Sequence, residues 1–161
     1  MNDDSTRPTP ERIFMVVVDQ SEEFRVAVRY ASKRAAHTGG RVALLYVEEQ
    51  TELQHWQAVE ELMREELRQK AEATLQQWSK LVQEWSGKTP VLFVREGNVR
   101  DEVLKVIEDE KISILVLAAA AGKKGPGPLI TALTGKMWKS VTIPLTIVPG
   151  ALSEEEIDAL T

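Results

Sequence analysis

Cysteine is absent from the 161-residue chain, which excludes disulfides, thiol nucleophiles, iron–sulfur clusters and cysteine-based zinc sites. Histidine is nearly as scarce. His37 and His55 are the only two, and neither has a nucleophile at motif spacing, so no catalytic constellation is evident. Positive charge is in deficit: 20 Lys and Arg stand against 25 Asp and Glu, a net charge of −5. That balance works against generic attraction to nucleic acid or to anionic membrane surfaces, and neither is expected as a partner. No apolar run approaches the ~18 residues that a spanning helix needs. The opening MNDDSTRPTPER has no apolar core of the kind a signal peptide carries, so the expected location is cytoplasmic. Internal repeats and low-complexity tracts are also missing.

What remains is a 43% hydrophobic sequence of a length that suits one buried core. The expected layout is a loose tail over residues 1–11, a domain over 12–150, and a short tail over 151–161. IFMVVVD, Ile13 to Asp19, is a continuous β-branched run suited to a strand covered on both faces, which implies a parallel sheet. Ser21 can cap the following helix, in which Phe24, Ala27, Val28, Ala31 and Ala35 recur at helical spacing until Gly39-Gly40. RVALLYVEE from Arg41 predicts a second strand. Thr51 and Gln54 have capping-box spacing, and apolar residues from Trp56 through Leu67, Leu75 and Trp78 to Trp85 predict a long helix with a break near its start. PVLFVRE is the third strand, Val99 to Ile107 the third helix, and Ile112 to Leu117 the fourth strand. Pro128 to about Lys139 reads as a fourth helix with Leu129, Leu133, Met137 and Trp138 inward. VTIPLTIVP closes the series as an edge strand, because Pro144 cannot donate to a ladder. Strict alternation of strand and helix predicts an α/β three-layer sandwich, a five-stranded parallel sheet with helices on both faces. In the tail, Ser153 and Glu156 have capping-box spacing, with Ile157 and Leu160 available to cover an apolar patch.

In such a sheet, ligands bind beyond the carboxyl ends of the strands, where the winding reverses. Asp19, Val47 and the alanine run from Ala118 stand at three of those ends. Asp19 could accept from an adenine amino group or simply cap its own turn. The turn GKKGPG, Gly122 to Gly127, offers backbone N–H groups and two ammonium groups suited to an anion; its bland alternative is a solvated loop. A phosphate loop of the Walker type is excluded, since Gly135-Lys136 lacks a glycine five positions earlier and is followed by Met137.

The chain from Ile13 to Val148 resembles the universal stress protein family. The resemblance is carried by VVVDQSEEFRVAVRYA, LLYVEE, VREGNVRDEVL, and ILVLAAAAG through IPLTIV. It implies an adenine-nucleotide-binding-like, Rossmann-like fold, commonly dimeric, without enzymatic activity. It also implies a homodimer formed through the last strand, Val141 to Val148. The nucleotide site of such proteins would fall on Asp19, Val47, Leu117, Ala118, Ala121, Gly122, Lys123, Thr131 and Ala132.

Family members that bind ATP share a signature of Gly, two residues, Gly, nine residues, then Gly with Ser or Thr. In the ungapped register anchored on Leu117 and Pro144, those positions are Ala118, Ala121, Thr131 and Ala132. Every signature glycine is replaced. A rival register on Gly122, Gly125 and Gly135 keeps the glycine spacing but shortens the last helix by a turn. Alanine at positive φ would cost ~1–2 kcal/mol at each of Ala118 and Ala121, and a lost hydroxyl bond at Ala132 would add ~1 kcal/mol. Together, ~3–5 kcal/mol would turn a micromolar nucleotide site into a millimolar one. The expectation is a stress-response or regulatory homodimer with no cofactor and no metal. Its alternative is a switch that holds ATP or AMP weakly.

Overall fold

A computed structural model describes residues 10–49, 57–122 and 124–161. Five parallel strands, β1 (Ile13–Val17), β2 (Arg41–Glu48), β3 (Val91–Glu96), β4 (Ile114–Ala119) and β5 (Leu145–Pro149), form one sheet in the order β3-β2-β1-β4-β5. Their connections are α1 (Glu23–Thr38), α2 (Gln57–Ser86), α3 (Val99–Asp109) and α4 (Pro128–Thr134), and α5 (Glu154–Leu160) follows the last strand. The winding reverses between β1 and β4, which pair from Phe14↔Ile114 to Val16↔Val116. The predicted sandwich is therefore the observed one.

Period-two alternation sorts each strand onto two cores. Phe14, Val16, Val42, Leu44 and Val116 face α1 and α2. Met15, Val17, Ala43, Leu45, Leu115 and Leu117 face α3 and α4. Strands buried on both sides carry apolar residues at consecutive positions, which is why IFMVV and VALL read as unbroken runs. On α2, Ala71, Leu75 and Val82 are buried at helical spacing, and Trp78 meets Phe24 edge-on with centroids 4.7 Å apart. Trp85 lies beneath the guanidinium groups of Arg25 and Arg29, each 5.1 Å from its ring centre. The tryptophans of this helix thus pack and cover. The expected cap at Thr51 and Gln54, the expected break near the helix start, and Trp56 lie outside the described residues.

The C-terminal capping box forms as read. Ser153 Oγ accepts from Glu156 N, and Glu156 Oε1 accepts from Ser153 N. Ile157 is buried, whereas Leu160 is exposed and covers nothing. Two arginines of α1 hold α5 in place: Arg25 reaches Glu154 at 3.1 Å and Arg29 reaches Asp158 at 2.8 Å.

Four sequence expectations need correction. Ser21 does not cap α1, because its hydroxyl donates to Asp19 Oδ1 at 2.6 Å; Glu22 holds the N-cap position with no side-chain cap bond. β4 runs past Leu117 to Ala119, since Ala118 and Ala119 find partners in Val148 and Pro149. α4 stops at Thr134, where Gly135 ends it, and a single 3₁₀ turn at Trp138–Ser140 replaces the rest. Without helical continuation Trp138 swings out and is 57% exposed. Pro144 precedes β5 rather than interrupting it, and its carbonyl accepts from Leu115 N.

Candidate functional site

Three clefts lie in a row along the carboxyl ends of β2, β1 and β4, at and beside the point where the winding reverses. The first, about 390 Å³, is lined by Asp19, Tyr46, Val47, Glu48 and Val99. The second, about 210 Å³, lies between α1 and α4 and is mostly apolar, with Phe24, Ala27, Leu117, Ala118 and Ile130 in its walls and Asp19 and Glu23 among its polar groups. The third, about 830 Å³, is lined by Arg100, Lys124, Lys136, Thr131 and Ala132. Asp19 is common to the first two, and Ala120, Gly127 and Pro128 are common to the last two.

Asp19 follows the end of β1 at Val17, where the chain must turn into α1. Its Oδ1 accepts from Ser21 N at 2.8 Å and from Ser21 Oγ at 2.6 Å. That oxygen is committed to the turn, and only the other one is left for a ligand. Beside it, Glu48 stands opposite Glu96 in the β2–β3 register. Burial, then repulsion from Glu96, pushes the Glu48 carboxyl above its ordinary range, with Arg68 pulling it back. Its Oε1 is buried and has no hydrogen-bond partner among the described residues.

The alanine run shapes the second cleft. Among the described residues Lys111 is the only non-glycine at positive φ, so Ala118, Ala121 and Ala132 all have ordinary backbone conformations. The strain expected from replacing glycine is therefore absent. Positive φ has moved instead to Gly125 (89°) and Gly127 (114°), where an added methyl would meet no heavy atom within 4 Å. The loop closes on itself: Ala120 N donates to Pro126 O at 3.1 Å. An amide in the position where a phosphate cradle would offer a donor is thereby used within the protein. Thr131 is committed in the same way, its hydroxyl donating to Gly127 O at 2.7 Å.

The residues singled out in the sequence fall into separate groups. Asp19 and Val47 share the first cleft, Asp19, Leu117 and Ala118 the second, and Thr131 and Ala132 the third. Ala121 and Gly122 are exposed and line none of these three, and Lys123 lies outside the described residues. Sequence reasoning missed Glu48, Arg100 and Lys136. Arg100 was open to detection, because Asn98 caps α3 by accepting from Arg100 N, which fixes this residue at a strand's carboxyl end. Lys136 was hidden by the reading of Gly135 to Lys139 as helix.

The sequence model of the universal stress protein family matches residues 11–149. No curated protein sequence matches the chain. Solved structures with the same fold include the universal stress protein UspA from Lactobacillus plantarum, 16% identical, with a TM-score of 0.69 over 88% of this chain and 99% of that one. A universal stress protein in complex with cAMP is 14% identical, with a TM-score of 0.64 over 89% and 100%. A family protein from Arabidopsis thaliana with AMP bound is 13% identical, with a TM-score of 0.56 over 86% and 91%. At these identities the likeness establishes the fold, and the family match over nearly the whole described chain establishes the rest: this protein belongs to the universal stress protein family.

Proposed function

We propose that the protein is a non-enzymatic stress-response module that works as a homodimer and does not hold ATP tightly. The observation that carries this reading is the closed loop after β4. Its Ala120 amide is spent on Pro126, methyl groups line the strand end, and the Asp19 oxygen that faces Ser21 is already satisfied. A triphosphate at this place would have to displace internal hydrogen bonds, each worth ~1 kcal/mol, before gaining its own. The direct test is the adenylate content of protein purified from cells and released by acid. The expected result is far below one nucleotide per chain, and a stoichiometric content would overturn the reading.

The homodimer rests on the free edge of β5. This strand is last in the sheet, Ile147 is 42% exposed on it, and Trp138 stands exposed nearby in sequence. Because Pro144 lies outside the strand, the backbone groups of Leu145 to Val148 that do not face β4 stay available to a partner edge. Ile147→Asp is expected to leave a folded monomer in sedimentation. A variant that still sediments as the dimer would place the contact elsewhere.

A second reading, weak adenylate binding, draws support from the row of connected clefts with Asp19 and Val47 at one end and the cations at the other. The neighbours described with cAMP and with AMP support the same reading. In that case AMP binds with millimolar affinity, because the Ala120 amide and the Thr131 hydroxyl are spent inside the protein and releasing each costs ~1 kcal/mol.

A further inference from the structure

The cleft between α1 and α4 is built unlike its two neighbours. Val16, Val116 and Leu117 of the strands, Phe24 and Ala27 of α1 and Ile130 of α4 give it an apolar wall. Its polar side chains are Asp19, Ser21 and Glu23, and no lysine, arginine or histidine lines it. Toward a ligand all three are acceptors, since the Ser21 hydroxyl donates its one proton to Asp19 Oδ1. Among the described residues neither Asp19 nor Glu23 meets a cation. Elsewhere the protein does pair its carboxylates, as at Glu11, Glu154 and Asp158. Glu23 is also held in place. Gly150, in the turn after β5, lies so close to its stem that a Cβ there would clash with Glu23 Cγ and with the Ala119 carbonyl.

We infer that this cleft is a binding site for a small organic ammonium ion, its apolar body seated against Phe24, Leu117 and Ile130 and its charged end at Asp19 and Glu23. Burial of the body drives entry, and charge-assisted hydrogen bonds to two uncompensated carboxylates select the sign of the charge. The size fits. At about 210 Å³ the space exceeds the ~150 Å³ of a cavity that takes up benzene, which leaves room for a ring and a short arm. A bare metal ion would leave the apolar wall unused, and among the described residues no group of three ligating side chains gathers to hold one. An anion is repelled by both carboxylates. The inference goes beyond the reading of the protein as a homodimer of low ATP affinity and needs neither part of it.

The test is a titration of the full, nucleotide-free chain with phenethylammonium at low salt, followed through the NMR shifts of its backbone amides. The expected result is a dissociation constant of about a millimolar, with the largest shifts at Phe24, Ala118 and Ile130. Methylammonium lacks the apolar body and phenethyl alcohol lacks the charge, so each should bind at least about tenfold more weakly, and phenylacetate not at all. Asp19→Asn and Glu23→Gln keep shape and remove charge. Each should weaken the ammonium by about tenfold and leave the alcohol unchanged, and added salt should act in the same direction. The ligand series on the parent protein keeps its force even where a variant fails to fold. Undetectable phenethylammonium binding, equal binding of the alcohol, or shifts confined to other surfaces overturns the inference and leaves the reading of weak ATP affinity in place. Micromolar ATP binding alongside the expected amine series would refute that reading and leave this site standing.

Discussion

Partial restoration of the family signature, two of its three glycines and its hydroxyl, separates two explanations for a weakened cradle. The perturbation is the triple change Ala118→Gly, Ala121→Gly, Ala132→Ser. Had the alanines been forced into positive φ, each replacement by glycine would relieve ~1–2 kcal/mol and ATP affinity would rise a hundredfold or more. The backbone is unstrained at all three positions, so that relief is unavailable. What the triple change does remove is two methyl groups, one of them at a strand position paired with Val148. Glycine in regular structure is less stable than alanine by roughly 0.5–1 kcal/mol, which gives a loss of about 1–2 kcal/mol in urea unfolding. The expected gain in ATP affinity is under about tenfold, since the Ala120 amide stays bonded to Pro126. Calorimetry with ATP and urea denaturation of the same preparations provide both readings. A hundredfold gain in affinity without loss of stability would refute the reasoning, because the methyl groups alone would then be the obstacle.

Two further predictions concern the walls of the clefts. Phe24 is 2% exposed, lines the 210 Å³ cleft and meets Trp78 edge-on, so Phe24→Ala should cost about 3–5 kcal/mol of stability and change tryptophan emission; a loss below about 1.5 kcal/mol would show that α2 collapses onto the gap. Glu48 carries a raised carboxyl, which penalises the folded state once pH exceeds the ordinary glutamate range and is without effect in acid, where both states are protonated. Glu48→Gln should therefore raise the denaturation midpoint at pH 7 and leave it unchanged below the ordinary carboxylate range; an equal shift at both pH values would assign the effect to packing rather than charge.

The architecture was legible because its determinants are local and repeated. Ile13 to Val17 and Val42 to Leu45 announce buried parallel strands, and the Ser153–Glu156 box announces the last helix. The candidate site was legible only at its anchors, Asp19 and Val47, which stand at strand ends. The end of β4 was not, since alanine has little strand preference of its own and Ala118 and Ala119 extend the strand only because β5 pairs with them. α4 was overextended for a related reason. Lys136 to Ser140 has helix-compatible residues, but Gly135 takes φ −108° and ψ −110° and turns the chain away, at a place where a Cβ would lie 2.7 Å from the Thr131 carbonyl. The gathering of Arg100, Lys124 and Lys136 depends on three elements meeting in space, and no window of sequence contains it. Nor could the sequence say that the Ser21 hydroxyl would serve Asp19 rather than the helix, a choice between donating to a carboxylate and accepting from a helix N–H.

The central claim is that a nucleotide scaffold persists here with its triphosphate cradle closed upon itself. Calorimetric titration of the unmodified protein with ATP tests it most directly. The account predicts a dissociation constant in the millimolar range, whereas a micromolar constant with one site per chain would contradict it.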